Sequence, residues 1–415
     1  MILSSGFPIW IRELAEIAKF LFNFQNRLFI FKISSFDKPR TFYFLIKILK
    51  TKLPLVEKLA MKIPKIPKIK IIVNRTNIIP TAIKIMQKYA KSHYTLEFEY
   101  PNEQGIGLGP SMEFYSICST AISKIPHIWR IVNGAYFFPF PLTDLHKLKF
   151  IELKEIFEFL GMIISKSISD DRLFDFPLSE LFWEIVLQKQ MGLYDLYRLD
   201  NGIGSMMIEL DKIAQEKILI DNDYKLSKQE KEAKKKQLKY KNMNIEELEL
   251  YFNLPGFGDI PLGTHMKDEK VTIDNLKEYI YLVVYTTFYS SIGIQVEYFI
   301  KGFNKVFSIN NLKTFYSYEI EDLVCGCSSF NWDEQTLREN IIPDRGYNQS
   351  SPQYNYLIKY MLNLSTDDKR KYLQYSTGSK RLPLGGFAML HPKLTVVRSN
   401  TENLNADNFL PSIMT

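Results

Sequence analysis

Three thiols, five imidazoles, a glycine-rich turn and a lysine run are the groups in this 415-residue sequence whose types could do chemistry. Cys325 and Cys327 form a C-x-C pair without a second ligand pair, and His93, His127, His146, His265 and His391 are scattered. A zinc centre needs about four convergent ligands, so no metal is expected. Cys118 lies in an apolar helical stretch, FYSICSTAI, where free cysteine is usually buried and inert. Gly105-Ile-Gly-Leu-Gly-Pro110 lacks both the spacing of a dinucleotide fingerprint and a Walker lysine, so it reads as a turn that needs positive φ. No Ser/His/Asp arrangement or nucleophile elbow is present, and no cofactor is expected.

The lysine run, Lys225–Lys241, carries eight Lys against two Glu and so holds +6 of the net charge of +7. The rest of the chain is nearly neutral. A solvated face is therefore expected, and nucleic acid is not an expected partner. Three cysteines in a chain this long argue against a disulfide framework and for a reducing compartment, cytoplasmic and/or nuclear. Arg12, Glu13, Glu16 and Lys19 interrupt the apolar N-terminus, against a signal peptide. Tyr279–Val296 is uncharged for eighteen residues but contains Thr286, Thr287, Ser290, Ser291 and Gln295. It reads as a buried helix rather than a membrane span.

The elements that must position these groups are mainly helical. Residues 1–70 read as an aromatic helical extension ending in the extended connector KIPKIPKIK. In Thr95–Tyr100, Leu96, Phe98 and Tyr100 alternate with Thr95, Glu97 and Glu99, which predicts a half-buried strand. Met112-Glu-Phe-Tyr115 opens a helix, and Phe138-Pro-Phe-Pro-Leu142 reads as a loop. Ile156, Phe159, Leu160, Ile163, Ile164 and Ile168 mark a core helix. A helix over 205–244 is predicted to run into the lysines, followed by a strand over Leu248–Leu254. Ser365 and Asp368 start a helix that Gly378 stops, and Leu394–Val397 is strand-like.

Several strings resemble the HECT ubiquitin ligases. They are Gly105–Pro110 followed by Glu113-Phe-Tyr115, Asp171–Ser179, Leu254–Asp259, Tyr316–Gly326 and Ile342–Tyr347. In the last forty-five residues they are Leu373-Gln-Tyr375, Thr377-Gly378, Arg381–Phe387 and Leu410-Pro-Ser-Ile-Met-Thr415. Phe20-Leu-Phe22 and Ser35-Phe-Asp37 are similar to the stretch preceding that domain in the ubiquitin-fusion-degradation and thyroid-receptor-interactor subfamily.

The resemblance implies an α+β, bilobal fold. After the 1–70 extension it places a large, mostly helical N-lobe with small β elements over 71–341. A conjugating-enzyme-docking subdomain falls at about 205–300 within it, with no groove residues assignable. A hinge follows over 342–348, with Asp344, Arg345, Gly346 and Tyr347 as its connector. A small α/β C-lobe over 349–415 completes the picture. The implied partners are a ubiquitin-conjugating enzyme, ubiquitin and a protein substrate, without a membrane and without a metal or other cofactor. In the family the nucleophilic cysteine directly follows the position of Thr415, flanked by Leu410 and Pro411. The sequence stops at Thr415, so the C-lobe is expected to be incomplete and the chain inactive as given. The alternative is a naturally shortened, non-catalytic protein that docks a conjugating enzyme.

Overall fold

The computed structural model describes residues 8–49, 66–101, 103, 107–142, 150–327, 332–390 and 392–398. In chain order these form α1 (Ile9–Ile17), α2 (Phe24–Ser35), α3 (Lys38–Leu49), β1 (Lys68–Ile72), α4 (Ile78–Tyr89), β2 (Thr95–Glu99), α5 (Leu108–Ser123), β3 (Trp129–Val132), β4 (Tyr136–Pro139) and α6 (Phe150–Ser169). Next come α7 (Glu180–Val186), α8 (Leu193–Leu199), α9 (Asn201–Asn222), α10 (Lys228–Lys235), β5 (Asn253–Leu254), β6 (Phe257–Pro261), α11 (Leu276–Tyr285) and α12 (Gly293–Phe303). The chain continues through α13 (Ser317–Cys325), α14 (Glu334–Asn340), β7 (Ile342–Asp344), α15 (Pro352–Leu362), α16 (Thr366–Thr377) and β8 (Thr395–Val397). The described strands pair two by two, β1–β2 and β7–β8 in parallel, β3–β4 and β5–β6 antiparallel. The class is α+β with helix dominant.

The chain divides into two compact units. One is built from Met1–Ile125, Glu158–Pro177 and Lys301–Thr415, the other from Pro126–Phe157 and Leu178–Ile300.

In the first unit α4 is the crossover between the parallel strands β1 and β2, a connection that parallel pairing requires. Its buried residues Ile78, Ala82, Ile85 and Met86 repeat at helical spacing. Phe98 of β2 stacks on Phe114 of α5, centroids 3.6 Å apart. Gly107, at φ +93°, turns the chain between them. There the Ser111 hydroxyl accepts from the Phe98 N–H at 3.0 Å and donates to Gly107 O at 2.9 Å. The glycine turn thus serves packing. Contrary to the half-buried expectation, both faces of β2 are covered, with Thr95 and Glu97 buried alongside Leu96 and Phe98. Burial of Glu97 is tolerated because Lys68 of β1 pairs with it.

The N-terminal helices pack as part of this unit. Phe31 of α2 meets Phe36, Phe307 and Phe315 edge-on at 5.2–5.7 Å. Arg27 pairs with Glu319 of α13, and Arg40 of α3 reaches Asp170 at 3.2 Å. Asp170 also holds Lys166 at 3.2 Å and accepts from the Leu96 N–H at 3.1 Å, so one carboxylate joins three segments. Burial drives the Lys166 ammonium below its ordinary pKa, and Asp170 opposes that shift.

Toward its C-terminus the same unit holds a separate apolar core that includes Trp332, Leu337, Ile341, Tyr354, Leu373 and Phe387. Ser365 caps α16 by accepting from the Asp368 N–H, and Gly378 ends it at φ +76°, as the sequence predicts.

In the second unit three expectations change. Phe138 and Pro139 belong to strand β4, which pairs with β3 before the loop begins. The helix predicted over 205–244 ends at Asn222, and α10 restarts at Lys228 behind a Ser227–Glu230 capping box. The alternating Leu248–Leu254 stretch is a 3₁₀ turn over Ile245–Leu248, a left-handed Glu249 and only two strand residues. Asn244 and Glu247 close that turn through their own cap, which outcompetes the period-2 pattern.

Candidate functional site

The uncharged Tyr279–Val296 stretch is α11, a π-helical turn over Thr286–Ser290, and the start of α12. Leu276, Tyr279, Ile280, Val283 and Val284 are buried along one side. Tyr281 and Tyr285 stand on the other, 63% and 45% exposed. Their rings lie 6.1 Å apart at 18°, and Tyr285 and Tyr289 are 5.6 Å apart. The Tyr289 hydroxyl accepts from the Met191 N–H at 2.8 Å, which anchors the end of the ladder. The expected wholly buried helix is thus buried on one side only, and its exposed side carries large rings with wettable hydroxyls. Rigid aromatic area of this kind binds protein surfaces at low entropic cost. The i, i+4, i+8 spacing of Tyr281, Tyr285 and Tyr289 was the available sequence signal, because the intervening apolar residues fill the core positions.

Ion pairs surround this helix. Lys277 of α11 reaches Asp211 of α9 at 2.6 Å, and Lys217 bridges Asp221 at 2.8 Å and Asp274 at 3.0 Å. Lys235 of α10 reaches Asp221 at 2.8 Å, which folds the lysine-rich helix back onto α9. His265 stacks on the buried Phe252 at 3.9 Å and contacts Glu269 at 2.9 Å and Glu278 at 3.2 Å. Those carboxylates, Glu269 first, raise its pKa.

The three thiols belong to the first unit. Cys118 and Cys325 are fully buried, and burial pushes both thiols well above their ordinary pKa. Cys327 is half-buried, with its N–H donating to Leu382 O at 2.8 Å. Among the described residues no group of three or more His, Cys, Asp or Glu could hold a metal ion. No described helix is long and apolar enough to cross a membrane.

The residues expected to form a hinge are placed inside the C-terminal core region. Asp344 ends β7 opposite Val397 of β8, and the Ile342 N–H donates to Leu394 O at 2.8 Å. Arg345 and Gly346 turn at φ +44° and +102°, and the Tyr347 N–H closes onto Asp344 O at 3.3 Å. Ile341 before this stretch and Tyr354 after it share one core, joined by a Tyr354 hydroxyl bond to Ile341 O at 3.1 Å. This core thus includes Trp332, Leu337 and Ile341 together with residues after 349, and the β7–β8 pairing occupies backbone groups of residues 342–344. Leu410, Pro411 and Thr415 lie outside the described residues.

A family model described as HECT-domain (ubiquitin-transferase) matches residues 115–415. The zebrafish (Danio rerio) E3 ubiquitin-protein ligase TRIP12 is 33% identical over all of this chain and 22% of its own length. E3 ubiquitin-protein ligase UPL4 of Arabidopsis thaliana is 32% identical over 99% of the chain and 28% of its own length. Ubiquitin fusion degradation protein 4 of Saccharomyces cerevisiae is 30% identical over all of the chain and 28% of its own length. The chain thus spans about a quarter of the length of these curated relatives. With the α+β fold, the family match and the order of its motifs agreeing, the chain belongs to the HECT-domain (ubiquitin-transferase) family.

Proposed function

We propose that this chain is the ubiquitin-transfer domain of a ligase, docking a charged conjugating enzyme and passing ubiquitin to lysines of a protein substrate in the cytoplasm or nucleus. The chemistry is two successive acyl transfers. A thiolate attacks the donor thioester and expels the conjugating enzyme's thiolate; a substrate amine then attacks the new thioester, forms an isopeptide bond, expels the ligase thiolate and gives up a proton. The observation that carries the docking half is the uncovered Tyr281–Tyr285 stack inside the 205–300 segment.

The docking test is a titration of the 415-residue chain with conjugating enzymes. Replacing Tyr281 and Tyr285 together by Ala is expected to weaken association at least ~10-fold, the scale of a small hot spot. Undiminished binding would remove this surface from the proposal.

Burial closes off Cys118 and Cys325 and disfavours their thiolates, which argues against either as the acceptor. Cys327, half-buried and without the Leu-Pro and threonine neighbours of the family's nucleophile, is also set aside. With activating enzyme, conjugating enzyme and ubiquitin, the 415-residue chain is expected to form no thiol-reducible ubiquitin adduct. A chain in which cysteine follows Thr415, where the family resemblance puts the nucleophile, is expected to form one. A reducible adduct on the 415-residue chain, lost in Cys327→Ser, would make Cys327 the acceptor instead.

A further inference from the structure

The C-terminal core closes on its own apolar side chains, Trp332, Leu337, Leu373 and Phe387 among them. Its attachments to the rest of the unit include contacts of another kind. Arg381, 12% exposed at its side chain, places Nε 3.0 Å from Asp175 Oδ1 and Nη1 3.0 Å from Glu321 Oε1. The two carboxylates come from different segments, the 171–179 stretch and α13. One residue beyond Arg381, Leu382 O accepts the Cys327 N–H. Backbone meets backbone here because Gly326 has no side chain; a Cβ on it would lie 2.4 Å from Leu382 O. Gly378 makes a similar approach, its Cβ position 3.0 Å from Gly109 O.

We propose that Arg381 is a positioning residue, a releasable latch that parks the C-terminal core on the 171–179 stretch and α13. Opening it frees the core to move as a body. A guanidinium fork can hold two separate carboxylates at once, which a lysine ammonium does less well. Charge-assisted bonds of this kind are strong yet reversible, and salt or charge reversal weakens them while leaving an apolar core intact. The consequence for transfer rests on the proposed function: a lobe that carries ubiquitin must move between donor and acceptor. The latch itself needs neither ubiquitin nor a conjugating enzyme to be observed.

Amide exchange on the 415-residue chain tests it, read at Cys327 and across α15 and α16. Arg381→Glu is expected to speed exchange at Cys327 roughly ten- to a hundredfold, the loss of one or two charged hydrogen bonds. Amides of α15 and α16 are expected to stay within about twofold of their original rates, because their core is separate. Adding Glu321→Arg to Arg381→Glu is expected to restore at least about a third of the lost protection, and Arg381→Lys to give an intermediate rate. Unchanged exchange at Cys327, failure of the charge swap to restore it, or equal acceleration throughout α15 and α16 would each overturn the latch. The last outcome would make Arg381 part of the core's folding.

Discussion

Asp170 and Asp221 each hold two cations, and the resemblance ends there. Asp170 is fully buried between Arg40 and Lys166, with its second oxygen on the Leu96 N–H. Asp221 holds Lys217 and Lys235 at 2.8 Å with its side chain 32% exposed. Removing the first carboxylate leaves the Leu96 amide without its acceptor and two buried cations on their remaining partners, Asp37 and Ser169 O for Arg40 and Ser92 O and Tyr94 O for Lys166. Removing the second leaves Lys217 on Asp274 and Lys235 on Glu232, at a site that water partly reaches. The first unit uses charge to lock segments distant in sequence, whereas the second uses it to lay helices around a surface that stays open.

The largest expected effect tests the buried side of that contrast. Asp170→Ala should cost about 3–5 kcal/mol in urea unfolding, as for breaking a buried pair from one end. A loss under 1 kcal/mol would mean that the other partners of Arg40 and Lys166 hold them without this carboxylate. Next, Gly302→Ala would place a Cβ 1.9 Å from Glu158 O, a backbone atom that cannot rotate away. It should cost about 1–3 kcal/mol as overpacking, read by the same unfolding curves. On the open side, Tyr281→Ala with Tyr285→Ala should change stability by no more than about 0.5 kcal/mol per site while weakening docking. Marked destabilisation would reassign the ladder to the core.

The smallest effect is a pH dependence at His265. Glu269 and Glu278 raise its pKa above 6.5, so the folded state holds the proton more tightly than the unfolded state. Its contribution should be complete below that value and fade as pH rises through the folded pKa, until the carboxylates themselves protonate in acid. Thermal midpoints of wild type minus His265→Gln, followed from pH 6 upward, should narrow. A difference that widens with pH would reverse the assignment.

Much of this was legible from local chemistry. The start and stop of α16 and the core stripe of α6 follow from capping, positive-φ glycine and periodicity. Such signals act within a few residues, so the chain carries them wherever it folds. The strand over Leu248–Leu254 misled because its alternation also suits a capped 3₁₀ turn. Pro343 and Gly346 mark a turn in the sequence, but the parallel pairing of the preceding residues with a strand some fifty positions on is not visible there.

By itself the sequence determined the family, the α+β class and the ends of several helices, because ordered motifs and caps depend on neighbouring residues. Only the tertiary structure decided which side of α11 stays exposed, that both faces of β2 are covered, and that Arg381 reaches Asp175 and Glu321. Each of those depends on segments far apart in the chain, whose approach is governed by total packing rather than by any local pattern.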